Sequence, residues 1–119
     1  MKWQRTAAAV LGFLGVLLGA FGAHRLKSIV PADALEIWKT AVFYHLVHAP
    51  VLLWQTRYDS RFARWTFLCL FAGVLLFSGS LYWLVWSGIR FWGWLTPFGG
   101  VLMLVGWGML AWQSFHVKV

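Results

Sequence analysis

Two histidines three positions apart in an apolar segment are the residues of this chain best suited to chemistry. A helix places His45 and His48 on one face, and His24 ends the apolar segment that precedes them. Histidines at this spacing can bind one metal ion, with His24 as a third ligand if the first helix packs alongside. No carboxylate or thiol accompanies them in the sequence, so the metal pattern is incomplete and no cofactor is predicted.

The other polar residues of the apolar segments extend this candidate site. Counted at about 1.5 Å of rise per residue, they lie in the same half of the predicted helices, and inward-facing side chains would form one polar cluster. The candidate ligand-binding residues are His24, Tyr44, His45, His48, Ser78 and Tyr82. Ionisable groups are costly inside a membrane and are functional candidates. A lipid, a quinone or a metal could bind such a cluster.

Hydrogen bonding within the protein is the structural alternative for these histidines. A neutral imidazole donates one hydrogen bond and accepts another, so His45 and His48 could tie the second helix to the third through Ser78 or Tyr82. Such bonds contribute about 0.6 kcal/mol on average in membranes, so their role would be specificity rather than strength. For each histidine taken singly, the structural interpretation is favoured.

The positions of the acidic residues do not favour an enzyme. Asp33, Glu36 and Asp59 are the only carboxylate residues of the chain, and they lie at the ends of apolar segments. A Ser78–His45 pair would therefore lack the acidic group that orients a catalytic histidine. We expect a non-enzymatic accessory or interaction protein. A small proton-coupled transporter that uses histidines as proton carriers is the alternative.

The composition is that of an integral membrane protein. Hydrophobic residues make up 61% of the 119-residue chain and charged residues 11%, against about 25% charged residues in soluble domains. The net charge of +7 comes from basic residues spread over the ends of the apolar segments. This distribution predicts contacts with lipid head groups and no nucleic-acid binding. The lone Cys69 cannot form an intrachain disulfide bond.

Four apolar segments are long enough to span a membrane, and they should be helical because a backbone in lipid must satisfy its own hydrogen bonds. The predicted helices are residues 6–23, 34–55, 64–87 and 95–115. Asp33 and Glu36 form a predicted capping box before the second helix, and Pro50 is expected to kink it. No loop exceeds about ten residues, so consecutive helices should be antiparallel neighbours. Residues 1–119 are thus predicted to form one all-α transmembrane domain, an up-down four-helix bundle.

Small residues spaced three or four positions apart form one stripe on the first helix, which predicts close packing against another helix. Its glycines are Gly12, Gly15, Gly19 and Gly22. A cleaved signal peptide would not need such a stripe, so we expect this segment to be retained. Gly73 and Ser80 are expected at a packing face of the third helix. The stripe also favours self-association as a homo-oligomer.

Basic residues are unequally distributed between the two sides of the predicted bundle. One side has Lys2, Arg5, Arg57, Arg61, Arg64 and Lys118. The other side has Arg25, Lys27 and Arg90, with Lys39 just inside a helix. The positive-inside rule makes the first side cytoplasmic. Both termini are therefore expected in the cytoplasm, and the candidate cluster is expected in the outer half of the bundle.

Four motifs in register resemble one protein family. They are Gly19-Ala20-Phe21-Gly22-Ala23-His24, Tyr44-His45-Leu46-Val47-His48-Ala49, Phe77-Ser78-Gly79-Ser80-Leu81-Tyr82 and Thr96-Pro97-Phe98-Gly99-Gly100. Over nearly the whole chain the sequence is similar to the YgdD/YwdK-like bacterial inner-membrane proteins, grouped as domain of unknown function 423, which have a mitochondrial transmembrane relative. Arg25 and Pro50 depart from the residues common in that family. The resemblance implies a four-helix protein of the bacterial inner membrane, whose activity it does not specify. The expected partners are membrane lipids, a second copy of the chain or another membrane protein.

Overall fold

The computed structural model describes residues 2–116, which form four α-helices joined by short connections. The helices are α1 (Lys2–His24), α2 (Ala32–Gln55), α3 (Arg61–Ser87) and α4 (Thr96–His116). Short 3-10 helices at Leu26–Ser28 and Arg90–Trp94 precede α2 and α4. The helix bounds differ from the predicted ones by at most four residues at the start and one at the end. Lys118, which the orientation prediction used, lies outside the described residues.

Within residues 2–116, three helical stretches are long and apolar enough to cross a membrane. They are Trp3–Ser28, Arg61–Ser87 and Arg90–His116. α2 is 24 residues long but is not among them, because polar side chains such as His45, His48 and Gln55 interrupt its apolar sequence. The described chain is 49 Å long, against about 40–45 Å for a bilayer with its head groups. The fold is therefore that of an all-helical membrane protein.

α2 and α3 form the middle of the assembly. The close helix pairs are α1 with α2, α2 with α3, and α3 with α4. All four helices contribute side chains to one apolar cluster, whose buried members are Ala8, Leu11, Leu52, Phe67, Leu70, Val74 and Met103. Surface grooves remain where the pairing is less close, between α1 and α3 and between α2 and α4.

α1 packs along α2 through its stripe of small residues. A Cβ atom added at Gly15 would lie 2.6 Å from Cδ2 of Leu46, and one added at Gly22 would lie 2.6 Å from Cδ1 of Trp38. Along this contact, later residues of α1 meet earlier residues of α2, so the two helices are antiparallel. Because α2 already covers this stripe, the stripe is not free to bind a second copy of the chain.

Glycines also bring the backbones of α3 and α4 together. A Cβ atom at Gly73 would lie 2.8 Å from a backbone nitrogen of α4, and one at Gly99 would lie 2.8 Å from Cα of Phe77. Ser80 is buried, and its hydroxyl oxygen lies 2.7 Å from that of Thr96 in α4. The structure thus places both Gly73 and Ser80 at the contact between α3 and α4.

The antiparallel order gives the assembly two different ends. The connections of residues 25–31 and 88–95 lie at one end, which we call the loop end. The connection of residues 56–60, the start of α1 and the end of α4 lie at the other, which we call the terminal end.

The start of α2 differs from the predicted one. Asp33 and Glu36 do not form a capping box, because α2 begins at Ala32 with Pro31 at the N-cap position and no side-chain capping bond. The proline ring fixes φ at −62°, a value compatible with a helix that begins at the next residue. Asp33 then lies in the first turn, near the positive end of the helix dipole, and Glu36 pairs with Lys39 at 3.4 Å.

A branched side chain at Gly99 should separate α3 from α4. Gly99→Val would place side-chain atoms against the α3 backbone, and such overpacking costs about 1–3 kcal/mol, occasionally more. We expect a lower melting temperature in mild detergent, measured by size-exclusion chromatography of heated samples. Gly108→Val is the matched control, because nothing lies within 4 Å of a Cβ atom at Gly108. Equal melting temperatures for the two variants would contradict the close contact described between α3 and α4.

Candidate functional site

His45 links three helices through its two ring nitrogens. It is buried, with 4% of its surface exposed. Its Nε2 atom lies 2.6 Å from the carbonyl oxygen of Leu11 in α1, and its Nδ1 atom lies 2.8 Å from the hydroxyl oxygen of Tyr82 in α3. A carbonyl oxygen only accepts hydrogen bonds, so Nε2 carries the proton and the Tyr82 hydroxyl donates to Nδ1. The structural alternative expected from the sequence, a bond from His45 to Tyr82, is therefore present.

His48 has the opposite tautomer and reaches the fourth helix. Its Nδ1 atom lies 2.6 Å from the carbonyl oxygen of Tyr44, so this nitrogen carries the proton. Its Nε2 atom accepts a hydrogen bond from the indole nitrogen of Trp107 at 2.9 Å. This bond joins α2 to α4 and was not predicted from the sequence, which offers no spacing that singles out Trp107 among ten tryptophans.

Ser78 bonds the backbone of α2 rather than a histidine. Its hydroxyl group donates to the carbonyl oxygen of Ala41 at 2.7 Å, and the residue is buried. A serine nucleophile needs a base within hydrogen-bond distance, whereas the acceptor here is an amide carbonyl. The geometry therefore does not form the Ser78–His45 pair considered from the sequence. It uses Ser78 to hold α3 on α2.

His24 and Tyr44 do not share these hydrogen bonds through their side chains. His24 is exposed at the C-terminal end of α1. The ring of Tyr44 lies 4.8 Å from that of Phe77, and its carbonyl group rather than its hydroxyl group bonds His48. Among the residues that the structure describes, no three His, Cys, Asp or Glu side chains are grouped to hold a metal ion. The candidate metal set of His24, His45 and His48 is therefore not assembled.

Both buried histidines are neutral and fully bonded in this geometry. His45 donates through Nε2 and accepts at Nδ1, whereas His48 donates through Nδ1 and accepts at Nε2. A second proton on His48 would face the N–H group of Trp107, and one on His45 would require Tyr82 to turn its own proton away. A metal ion would have to displace one of these partners. The arrangement holds four helices together and leaves no ring nitrogen free.

A second buried polar group lies at the terminal end, so the prediction that the polar residues gather in one half of the helices is wrong. The side-chain amides of Gln55 and Gln113 bond each other at 2.8 and 3.3 Å, joining α2 to α4. Gln4 is also buried, and its Oε1 atom has no hydrogen-bond partner among the described residues. These three glutamines are the only side-chain amides of the chain, and each is near an end of an apolar segment. Their shared position near the ends of apolar segments was the sequence feature from which these buried glutamines could have been predicted.

Four helices, three of them apolar enough to cross a membrane, enclose polar side chains that bond one another. These features define an integral membrane protein with almost no chain outside its helices. The chain belongs to the family described as "Protein of unknown function (DUF423)", whose sequence profile matches residues 18–100. The resemblance inferred from the four motifs is thereby confirmed.

Relatives match almost the whole chain. The UPF0382 membrane protein of Haemophilus influenzae is 41% identical over 116 residues, which cover 95% of this chain and 94% of the relative. The UPF0382 membrane protein YwdK of Bacillus subtilis is 39% identical over 92% of this chain and 94% of its own. The UPF0382 inner membrane protein YgdD of Escherichia coli K12 is 37% identical over 93% of this chain and 88% of its own length. These names support a location in the bacterial inner membrane. No solved structure matches the chain.

The opposite tautomers of His45 and His48 predict two distinct nitrogen spectra. In protein labelled with ¹⁵N-histidine and embedded in lipid, we expect a neutral His45 protonated at Nε2 and a neutral His48 protonated at Nδ1 at pH 7. Solid-state NMR measures both states from the ¹⁵N chemical shifts. His45→Gln and His48→Gln each remove one set of signals and so assign them. Identical tautomers, or an imidazolium at either position, would contradict the bonding partners described.

Proposed function

We propose that all four helices cross the inner membrane. α2 runs antiparallel to α1 and is nearly the same length, at 24 residues against 23. At 1.5 Å per residue it reaches about 36 Å, enough for a hydrocarbon core of about 30 Å. Its histidines and its glutamine bond other helices instead of facing lipid, so they are no obstacle to a membrane span.

The distribution of charge supports the cytoplasmic placement of both termini. At the terminal end, the described basic residues are Arg5, Arg57, Arg61 and Arg64. At the loop end they are Arg25, Lys27, Lys39 and Arg90. Lys39 is paired there with Glu36, and the sequence adds Lys2 and Lys118 to the terminal end. The larger excess of positive charge favours the terminal end as the cytoplasmic one.

Cysteine labelling in intact cells tests the spans and their orientation together. In a Cys69→Ala background, we expect an impermeant maleimide to label Ser28→Cys from outside and Asp59→Cys only after lysis, since both positions are exposed but lie at opposite ends. Labelling of both from outside would mean that α2 does not cross the membrane. Labelling of Asp59→Cys alone would reverse the proposed orientation.

We propose further that the protein acts without catalysis, as an accessory protein that binds another membrane protein. The observation that carries this proposal is that all four ring nitrogens of His45 and His48 are already hydrogen-bonded, three of them to another helix and one to the backbone of α2. The carboxylates of Asp33, Glu36 and Asp59 lie near a helix start or in a connection. In the part of the chain that the structure describes, the buried side chains therefore supply no free base or nucleophile with an acidic partner.

The partner would be met within the membrane. The longest connection between α-helices has eight residues, 88–95, which is too short to form a docking domain. Large apolar side chains are instead exposed along the helices, such as Phe13 in α1 and Leu104 in α4. Since α2 covers the glycine stripe that favoured self-association, a different protein is favoured over a second copy as the partner.

The transporter alternative receives less support from the same bonds. A histidine that carries protons must take up and release one in every cycle. A proton taken up by His48 would break the bond from Trp107 that joins α2 to α4, and one taken up by His45 would require the Tyr82 hydroxyl to reverse its bond.

Photo-crosslinking in cells tests the proposed partner. A diazirine amino acid at the exposed positions of Phe13, Phe43 or Leu104, each on a different helix, should crosslink one defined membrane protein from at least one of them. The buried position of Phe67 is the matched control and should give no adduct. Adducts are identified by mass spectrometry. Only self-adducts, no protein adducts at any exposed position, or turnover of a substrate by the purified protein alone would overturn the proposal.

A further inference from the structure

A groove between α1 and α3, which we call the α1–α3 groove, is lined mostly by aromatic rings. Its volume is about 530 Å³. Its aromatic residues are Phe21, Trp38, Tyr82, Trp83 and Trp86. A smaller hollow of about 160 Å³ shares Gly79 and Tyr82 with it and reaches His45 and Ser78. The groove is thus aromatic near the loop end, and Tyr82 lies at its inner end, where it meets the smaller hollow.

The side-chain protons at the inner end of the groove are already donated within the protein. Tyr82 donates to His45, and His45 donates to the carbonyl oxygen of Leu11. Ser78 donates to the carbonyl oxygen of Ala41. Ser78 is buried and does not line the groove itself, whereas Tyr82 does, and its hydroxyl oxygen keeps a lone pair. The inner end can therefore accept a hydrogen bond from an occupant but has no free proton to donate to one.

Gly79 keeps the α1–α3 groove open. It is exposed, and nothing lies within 4 Å of a Cβ atom added to it. Gly73 on the same helix differs, because a Cβ atom there would collide with α4. Gly79 therefore serves no helix contact, and a large side chain at this position would add bulk beside the groove that it lines.

Shape and hydrogen bonding together define the class of occupant. Aromatic walls pack well against another flat ring, and an apolar wall disfavours a charged head group. An acyl chain would leave the remaining lone pair of the Tyr82 oxygen without a donor. A quinone would turn a carbonyl oxygen, which only accepts, toward that oxygen. A ring that carries a hydroxyl group satisfies both the walls and the inner end.

We propose that the α1–α3 groove binds a membrane-soluble quinol, whose hydroxyl group donates a hydrogen bond to the Tyr82 oxygen. The oxidised quinone lacks that proton and cannot form this hydrogen bond. This binding site goes beyond the proposed function, because it depends on no protein partner.

Equilibrium binding to the purified protein in nanodiscs tests the site. The probes are a short-chain benzoquinol, kept reduced with dithionite, and the corresponding benzoquinone. We expect one quinol per chain and an affinity roughly two- to tenfold higher for the quinol than for the quinone, as one hydrogen bond implies. Equal affinity for the two probes, or no saturable quinol binding, would overturn the proposal.

Two variants test whether the α1–α3 groove is the place of binding. Gly79→Leu should lower quinol affinity at least tenfold without a change in melting temperature, because its side chain adds bulk beside the groove and meets no other helix. Gly108→Leu is the matched control, an equally open glycine on α4, and should bind as the wild type does. Unchanged binding by Gly79→Leu would exclude the groove.

Tyr82→Phe tests the hydrogen bond independently of the groove's shape. It removes the accepting oxygen and leaves the ring that lines the groove. We expect the preference for quinol over quinone to disappear while quinone affinity stays within a few-fold of the wild type. A preference that survives in Tyr82→Phe would contradict the assigned bond. A different result would identify an acyl chain as the occupant and would make the quinol proposal wrong. In that case Gly79→Leu would lower quinol affinity, but the wild-type protein would prefer neither probe and would retain only phospholipid in the groove after purification.

Discussion

Polar groups inside a membrane protein must bond one another, and this constraint determines how the four helices meet. An unpaired polar group in hydrocarbon costs several kcal/mol, whereas a bond between helices contributes about 0.6 kcal/mol on average. His45 cannot leave Leu11 and Tyr82, and His48 cannot leave Trp107, without exposing an unsatisfied nitrogen. The cost of breaking these bonds, more than the gain from forming them, restricts how α2 can rotate or slide against its neighbours.

The residues that make α2 less apolar are also the ones that place it in the protein. His45, His48 and Gln55 lower its hydropathy, yet each bonds a neighbouring helix. α4 is held on α2 at two levels, by Trp107 near the middle and by Gln113 near the terminal end. A count of apolar residues therefore undervalues this helix, because it treats internally bonded side chains as though they faced lipid.

The sequence predicts the helices better than it predicts their contacts. Apolar length and the spacing of small residues are local properties, so they indicate the helix positions and the stripe that includes Gly15. The bond between His45 and Tyr82 was within reach because both residues lie at similar depth in consecutive helices. The bond between His48 and Trp107 could not be predicted, because it depends on the rotation of α4 about its axis. That rotation is set by backbone contacts such as the one at Gly99. The sequence pattern alone does not determine how α4 is rotated.

Two glycines of α3 differ in their roles, because one is needed for helix packing and the other borders the proposed binding groove. Gly73 is needed for packing, since a Cβ atom there would meet the α4 backbone. Gly79, six residues further on, contacts no other helix and borders a groove in which the Tyr82 hydroxyl group has donated its proton to His45. In an exposed helix interior, glycine is about 1 kcal/mol less favourable than alanine, and the close packing of the fold gives no reason for it at this position. The proposed occupant of the groove gives one, because a ring that brings a proton is the kind of group that the lone pair of the Tyr82 oxygen can accept.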